Sequence, residues 1–181
     1  LGTVDHDISG GMGNDTLWTS NGTVRLIEAF GEGSDTVRST VSYTLNAEVE
    51  NLVLLGSGNT TAKGNAGINT LTGNQGNNRL LGLGNNDWLD GKGGNDRLTG
   101  GLGDQDTFIF STGYGQDTIT DFEDGTDRID LQKLTAITDY TDLIAHHTKD
   151  TTAGLLIFAG KDRLLVEGMS EGNLDSAEVY I

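Results

Sequence analysis

Residues 64–108 read GNAGINTLT, GNQGNNRLL, GLGNNDWLD, GKGGNDRLT and GGLGDQDTF, five versions of one nine-residue sentence. Each opens with Gly. The first four carry Asn or Asp at the sixth place (Asn69, Asn78, Asp87, Asp96) and Leu at the eighth (Leu71, Leu80, Leu89, Leu98). The last version has one inserted residue, so its apolar position is Phe108 and its sixth place falls on either Gln105 or Asp106. A nine-residue period fits neither a heptad coil nor an array of helical repeats; it fits a short strand around the apolar residue followed by a tight loop. Gly accepts positive φ without steric cost and Asn is the next most tolerant, so the Gly/Asn-rich half of each unit can turn sharply every time.

Two such units make one coil of about 18 residues with a strand on each side, and successive coils stack about 4.8 Å apart. The apolar residues then point inward between two sheets. A flexible Gly-rich linker would have no reason to keep an apolar residue at every ninth position. Stacking also sets each sixth residue beside the sixth residue two units later: Asn69 beside Asp87, Asn78 beside Asp96, and Asp87 beside Asp106. Carboxylates one strand spacing apart repel unless a cation lies between them. Hard oxygen ligands on flexible loops suit Ca²⁺, which takes about 6–8 oxygens, the remainder being loop carbonyls.

The pattern resembles the RTX, or haemolysin-type, calcium-binding repeats, whose unit is GGxGxDxUx with U apolar. GGMGNDTLW at 10–18 matches every specified position, and GKGGNDRLT at 91–99 misses only the second Gly. The resemblance implies an all-β chain: a parallel β-roll, a right-handed β-solenoid of nonapeptide repeats, with a C-terminal capping segment of short helix and hairpin. It implies several Ca²⁺ ions, each held between loops two units apart by backbone carbonyls and sixth-place Asp. Carried over, Lys92, Gly94 and Asp96 face Asp117 of the variant unit TGYGQDTIT (112–120), and Leu83, Asn85 and Asp87 face Gly100, Leu102 and Asp106. The further loop ligands it implies are Asn65, Gly67, Asn69, Asn74, Gly76, Asn78, Gly82, Gly84, Gly91, Gly93, Gly101 and Gly103, with Asp127 ahead of Ile129. Asn in place of Asp at 69 and 78 predicts two weaker sites. Nearer the N-terminus, FGEGSDTVR (30–38) is a second variant unit, with Asp35 twenty residues after Asp15 rather than eighteen. An expanded coil there would close a site from Gly11, Gly13 and Asp15 with Glu32 and Asp35.

Composition agrees with a metal-stapled fold. The chain has 181 residues, 34% of them hydrophobic, with 28 Gly, no Cys, no Pro and a formal net charge of −16. That core is thin, and the charge opposes compaction and argues against nucleic acid or an anionic membrane as partner. About five Ca²⁺ would offset some ten of those charges, so folding should depend on calcium. Absence of Cys removes disulfides and thiolate metal sites and fits a secreted, extracellular protein stabilised by calcium. There is no apolar run of about 20 residues and no signal-peptide pattern.

The reading divides the chain into a β-roll at 1–131 (early repeats 1–38, spacer rungs 39–63, main repeats 64–131) and a C-terminal cap and secretion-signal region at 132–181. Thr138 to His147 reads as a short helix and LLIFAGKDRLLVEG as a hairpin turning at Gly160 to Asp162. The tail from Asn173 to Ile181 is expected to cover Leu164, Val166 and the end of the final coil. Starting in mid-pattern, the chain reads as the C-terminal piece of something longer. No catalytic residue is assigned: HExxH and GxSxG are absent, and His6, His146 and His147 form no metal motif. The expected function is a calcium-dependent folding and type I secretion module, monomeric, appended to an upstream enzyme or adhesin. Its partners would be calcium and the type I secretion apparatus. The alternative is a carbohydrate-binding module for an alginate-like acidic glycan, as in mannuronan epimerase R-modules, or a cell-surface adhesion module. Arg79 and Arg97, at equivalent places in alternate units, would form a basic ladder near Lys92 for such a polysaccharide.

Overall fold

In the computed structural model, residues 7–102 and 105–181 are described. Gly103 of the expected ligands lies outside them. The nine-residue rhythm becomes two parallel sheets between which the chain alternates. The first holds, in spatial and chain order, Thr16–Thr19, Thr36–Ser39, Asn51–Leu54, Thr70–Thr72, Trp88–Asp90, Thr107–Ile109, Arg128–Asp130 and Val179–Tyr180, every neighbour parallel. The second holds Tyr43–Thr44, Thr61–Lys63, Arg79–Leu83, Arg97–Gly101, Gln116–Ile119 and Asp162–Glu167, all parallel. It then continues antiparallel through Gly154–Ala159 and Thr148–Asp150. A short parallel pair, Asp7–Ser9 with Arg25–Ile27, stands before them.

Register is set by the inward side chains, because slipping a strand by one residue would turn its apolar residue out to water. Leu17, Val37, Leu52, Leu71, Leu89, Phe108, Ile129 and Val179 line up in one ladder. Tyr43, Ala62, Leu80, Leu98, Ile119 and Val166 line up in the other. Leu71, Leu80, Leu89 and Leu98 are 0% exposed and Phe108 1%, so all five expected inward positions form the core. Burying each is worth roughly 1.5–3 kcal/mol. Irregular coil length is absorbed by loops. The separation between stacked residues is 18 from Asn69 to Asp87, 19 from Asp87 to Asp106, and 21 from Asp96 to Asp117, while the strands stay in step.

The C-terminal region contains the expected helix, at Tyr140–His146, capped by the Asp139 side chain, which accepts the Asp142 N–H. It also contains the hairpin, with Ala159 opposite Asp162. These elements continue the roll. Asp162–Glu167 lies parallel to Gln116–Ile119, and Val179–Tyr180 lies parallel to Ile129–Asp130. The tail therefore covers the end of the final coil, as expected, but not Leu164 and Val166. The Ile129 and Leu131 N–H groups donate to the Glu178 and Tyr180 carbonyls at 2.7 and 2.8 Å, whereas Leu164 and Val166 are held between the Gln116–Ile119 and Gly154–Ala159 strands. Among the described residues no helix is long and apolar enough to cross a membrane.

Candidate metal centres

The sixth-place residues close loops immediately before strands, except Asp117, which is the second residue of Gln116–Ile119, and parallel pairing carries them into columns. Beside the first sheet the column is Asp15, Asp35, Glu50, Asn69, Asp87, Asp106 and Asp127; beside the second it is Thr60, Asn78, Asp96 and Asp117. One hydrogen bond recurs along them: the backbone N–H of one member donates to a carboxylate oxygen of the next. It runs from Asp15 to Asp35 at 2.8 Å, Asp35 to Glu50 at 2.8 Å, Asn69 to Asp87 at 2.7 Å, Asp87 to Asp106 at 2.8 Å and Asp106 to Asp127 at 2.9 Å. In the second column it runs from Asn78 to Asp96 at 2.6 Å and from Asp96 to Asp117 at 2.9 Å. The residue left open by the insertion is thereby identified: Asp106 is 0% exposed and in the column, while Gln105 is exposed.

That bond uses Oδ1. The second oxygen, Oδ2, of Asp15, Asp35, Asp96 and Asp117 is buried and accepts no hydrogen bond among the described residues. An ionised oxygen in that condition costs several kcal/mol unless a positive group meets it. At Asp96 and Asp117 its electrostatic signature is a raised pKa. Burial pushes Asp117 up to about 8, with the Asp96, Asp162 and Asp90 carboxylates adding to it against the Asp96 N–H bond. Burial likewise raises Asp96 to about 7 and Asp127 to about 6. Among the described residues no three His, Cys, Asp or Glu side chains converge as a metal cluster. A cation here would complete its shell with loop carbonyls, as Ca²⁺ does.

The loop glycines fit that arrangement. A Cβ on Gly82, Gly91 or Gly100 would collide with Oδ2 of Asp87, Asp96 or Asp106 of its own unit, so the first place of the unit has no room for a side chain. The same imagined Cβ on Gly64 or Gly82 would sit 2.5 or 2.6 Å from the carbonyl oxygen of Gly82 or Gly100, which shows how closely loops two units apart approach. At the second and fourth places Leu83 (φ 97°), Asn85 (φ 64°) and Lys92 (φ 68°) adopt the left-handed backbone that glycine takes at Gly94 (φ 119°) and Gly101 (φ 141°). Non-Gly residues held there cost on the order of 1–3 kcal/mol, which the surrounding loop must offset. Gly84 and Leu102 lie on the open side, Leu102 being 74% exposed. Gly93 stands beside the Gln75 side chain.

The two Asn rungs differ in kind. Asn65 Nδ2 donates to the Asn46 and Val49 carbonyls at 2.6 and 2.8 Å, and Asn69 Nδ2 to the Val49 carbonyl at 3.2 Å. Asn74 Nδ2 donates to the Leu55 and Gly58 carbonyls, both at 3.1 Å, and Asn78 Nδ2 to Thr60 Oγ1 at 3.2 Å. Their Oδ1 atoms accept local N–H groups: Gly67 to Asn65 at 2.8 Å, Asn65 to Asn69 at 2.7 Å, Gly76 to Asn74 at 2.7 Å and Asn74 to Asn78 at 2.7 Å. Toward the preceding coil, amide protons thus occupy the carbonyls that a cation would otherwise take. Where two weaker metal sites were expected, the Asn65 and Asn74 amides bond the carbonyls of the preceding coil.

Other carboxylates terminate the loops. Glu28 accepts the Gly10 and Gly11 N–H groups at 2.9 and 3.2 Å; Asp121 accepts Gly100 and Gly101, both at 3.0 Å; and Asp162 accepts Gly113 and Gly115 at 2.9 and 3.1 Å. Glu32, expected to close the early site from the second loop, accepts the Ala29 N–H with its carboxylate at 2.7 Å and the Gly13 N–H with its carbonyl at 2.6 Å. A fifth-place asparagine ladder went unread: Asn59, Asn77 and Asn95 each accept an N–H from the next coil, at 2.8, 2.9 and 3.0 Å. Its signal was present, since those residues recur every eighteen positions. Arg79 and Arg97 are register neighbours, as expected, but Arg97 pairs with Glu167 at 3.5 Å. Lys92 does not join them: it pairs with Asp90 at 2.8 Å and lies 6.0 Å from the Tyr114 ring centre.

Comparisons with known proteins agree with this geometry. The profile of the family described as "Peptidase M10 serralysin C terminal" matches residues 3–163. A 56-residue stretch is 43% identical to endo-1,3-1,4-beta-glycanase ExsH of Rhizobium meliloti (strain 1021), covering 31% of this chain and 12% of that protein. The fold is similar to that of the extracellular lipase LipA from Serratia marcescens, with a TM-score of 0.50 and 16% identity over 97% of this chain and 38% of the lipase. The chain thus spans a minor part of the length of either relative.

Proposed function

The chain belongs to the peptidase M10 serralysin C-terminal family, a β-roll domain of secreted enzymes, and on that premise we propose that it is a non-catalytic module that folds on calcium outside the cell. The observation that carries this reading is the set of buried Oδ2 atoms on Asp15, Asp35, Asp96 and Asp117 that accept no hydrogen bond among the described residues. Bound Ca²⁺ would supply the positive charge that lets these carboxylates stay ionised in a stacked column. The chain's own part is to hold the oxygens in place. Asp96 and Asp117 act with the Lys92 and Gly94 carbonyls, Asp87 and Asp106 with those of Leu83, Asn85, Gly100 and Leu102, and Asp15 and Asp35 with those of Gly11 and Gly13. Asp127 extends the first column beyond Asp106. Residues 132–181 are proposed to close the roll and to carry the address read by a type I exporter.

Circular dichroism during a calcium titration and back-titration with EGTA tests the first part. Parallel-sheet signal should appear with calcium and vanish with chelation, because a thin core and a net charge of −16 oppose the metal-free roll. A far-UV spectrum unchanged by EGTA would reject it. Deleting residues 173–181 separates the two tail roles. It frees the Ile129 and Leu131 N–H groups, so the calcium midpoint for folding should rise in vitro, where no exporter is present. An unshifted midpoint with failed export would make the tail an address alone.

A further inference from the structure

We propose that the outer face of the first sheet binds a neutral, β-linked oligosaccharide, with Trp88 and Tyr180 as its stacking platforms. The face carries an open groove of about 650 Å³, within the range of small-molecule sites. Trp88 is 58% exposed, Tyr180 44% and Ile68 64%, a concentration of large apolar side chains on a water-facing surface that calls for a ligand. Trp88 and Tyr180 stand on strands three places apart in the sheet, about 14 Å at the strand spacing. That separation suits a chain of several sugars laid across the strands rather than a single one.

The polar lining points to hydroxyl-rich ligands. Asn86, Gln105 and Gln132 line the groove between the apolar side chains. The Gln105 and Gln132 side-chain amides have no partner among the described residues, and each offers both a donor and an acceptor, as a sugar hydroxyl requires. Asp130 is the one charged residue among the described lining, and its Oδ1 already accepts the Gln132 N–H at 2.9 Å. Among the described residues that line the groove there is no cation; Arg128, in register with Thr107 on the same face, turns its guanidinium to the Thr126 and Asp127 carbonyls, so in a chain of net charge −16 an anionic sugar is disfavoured and a neutral one is not. The flat C–H faces of β-linked hexopyranoses complement an exposed indole, while their equatorial hydroxyls reach the amides at its rim. A protein partner would require a broader continuous apolar centre, whereas here amides interrupt it. Trp18, on the same outer face and 65% exposed, is a built-in contrast: the Arg38 guanidinium lies 4.7 Å from its ring centre on one face, and the ring lies outside the groove.

The test is a tryptophan-fluorescence and calorimetric titration of the calcium-loaded 181-residue chain with β1,4- and β1,3-linked glucose tetrasaccharides, and with a mannuronate tetrasaccharide as the acidic counterpart. Saturable binding of a neutral tetrasaccharide is expected. Trp88→Ala should weaken it by about tenfold or more, the double change Gln105→Ala with Gln132→Ala by about three- to tenfold, and Trp18→Ala by less than about twofold. Circular dichroism and the calcium midpoint check that each variant folds. Absence of saturable binding to either neutral tetrasaccharide overturns the proposal. So does undiminished binding by folded Trp88→Ala, or preferential binding of the acidic tetrasaccharide that is lost in Arg79→Ala.

Discussion

Along residues 46–78 the loops are closed by asparagine amides, whereas along 82–127 the equivalent places carry carboxylates. Both stretches have the same strands, the same inward leucines and nearly the same coil length. In the first, Asn65 Nδ2 donates to the Asn46 and Val49 carbonyls and Asn74 Nδ2 to those of Leu55 and Gly58, so crowded carbonyl dipoles meet N–H groups. In the second, Asp96 and Asp117 keep a buried oxygen that meets none among the described residues. The backbone geometry of a roll therefore does not demand metal by itself. One atom per unit, amide nitrogen or carboxylate oxygen, decides whether a coil is self-sufficient or needs a cation.

The largest expected contrast comes from truncating one rung of each kind. Asp96→Ala removes a proposed ligand from the loops on both of its sides and should raise the calcium concentration needed for folding by tenfold or more, on the order of 1.4 kcal/mol or above. Asn78→Ala should instead cost about 1–3 kcal/mol, chiefly by taking the Oδ1 acceptor from the buried Asn74 N–H, with a smaller shift of the calcium midpoint. Calcium-dependent urea denaturation of both variants measures the pair; equal calcium shifts would contradict the assigned register.

A conversion sharpens the comparison. Asn69→Asp replaces the amide that donates to Val49 and Glu50 with an acceptor facing acceptors. The metal-free form should lose about 1–3 kcal/mol, and the calcium-loaded form should recover most of it. Denaturation with and without calcium reads this out, and equal losses in both would show that the rung cannot be switched.

A smaller effect is set by protons. Burial holds Asp117 and Asp96 up to about 8 and 7 in the fold against the ordinary aspartate value of 3.8, so the metal-free fold binds more protons than the unfolded chain between those limits. Its stability is therefore greatest below about pH 4 and falls as pH rises through 7–8. The calcium-loaded protein should do the opposite, because ions and protons compete for the same oxygens. Thermal midpoints between pH 5 and 8, in demetallated and calcium-saturated samples, should slope in opposite directions. Parallel slopes would remove these carboxylates from the account.

The roll and its acid column were legible because both depend on one residue at a fixed interval. Leu71 to Phe108 mark the core, and Asp87, Asp96 and Asp117 mark the column. The closing role of Asn65 and Asn74 was not, because GNxG reads equally as a ligand loop or as an amide clasp until the preceding coil is in place. Glu50 escaped for another reason: its coil is only fifteen residues from Asp35, so the nine-residue frame slips in the spacer. The strand at 179–180 was hidden by its length, since two residues show no alternation.

Hydrogen exchange followed by mass spectrometry, with calcium and after its removal, addresses the central claim most directly. The account predicts that chelation strips amide protection first and most from 82–131, including the Asp87, Asp96 and Asp106 N–H groups that donate along the columns, while peptides from 46–78 retain more. Protection lost first from the amide-closed stretch, or unchanged at 82–131, would contradict it.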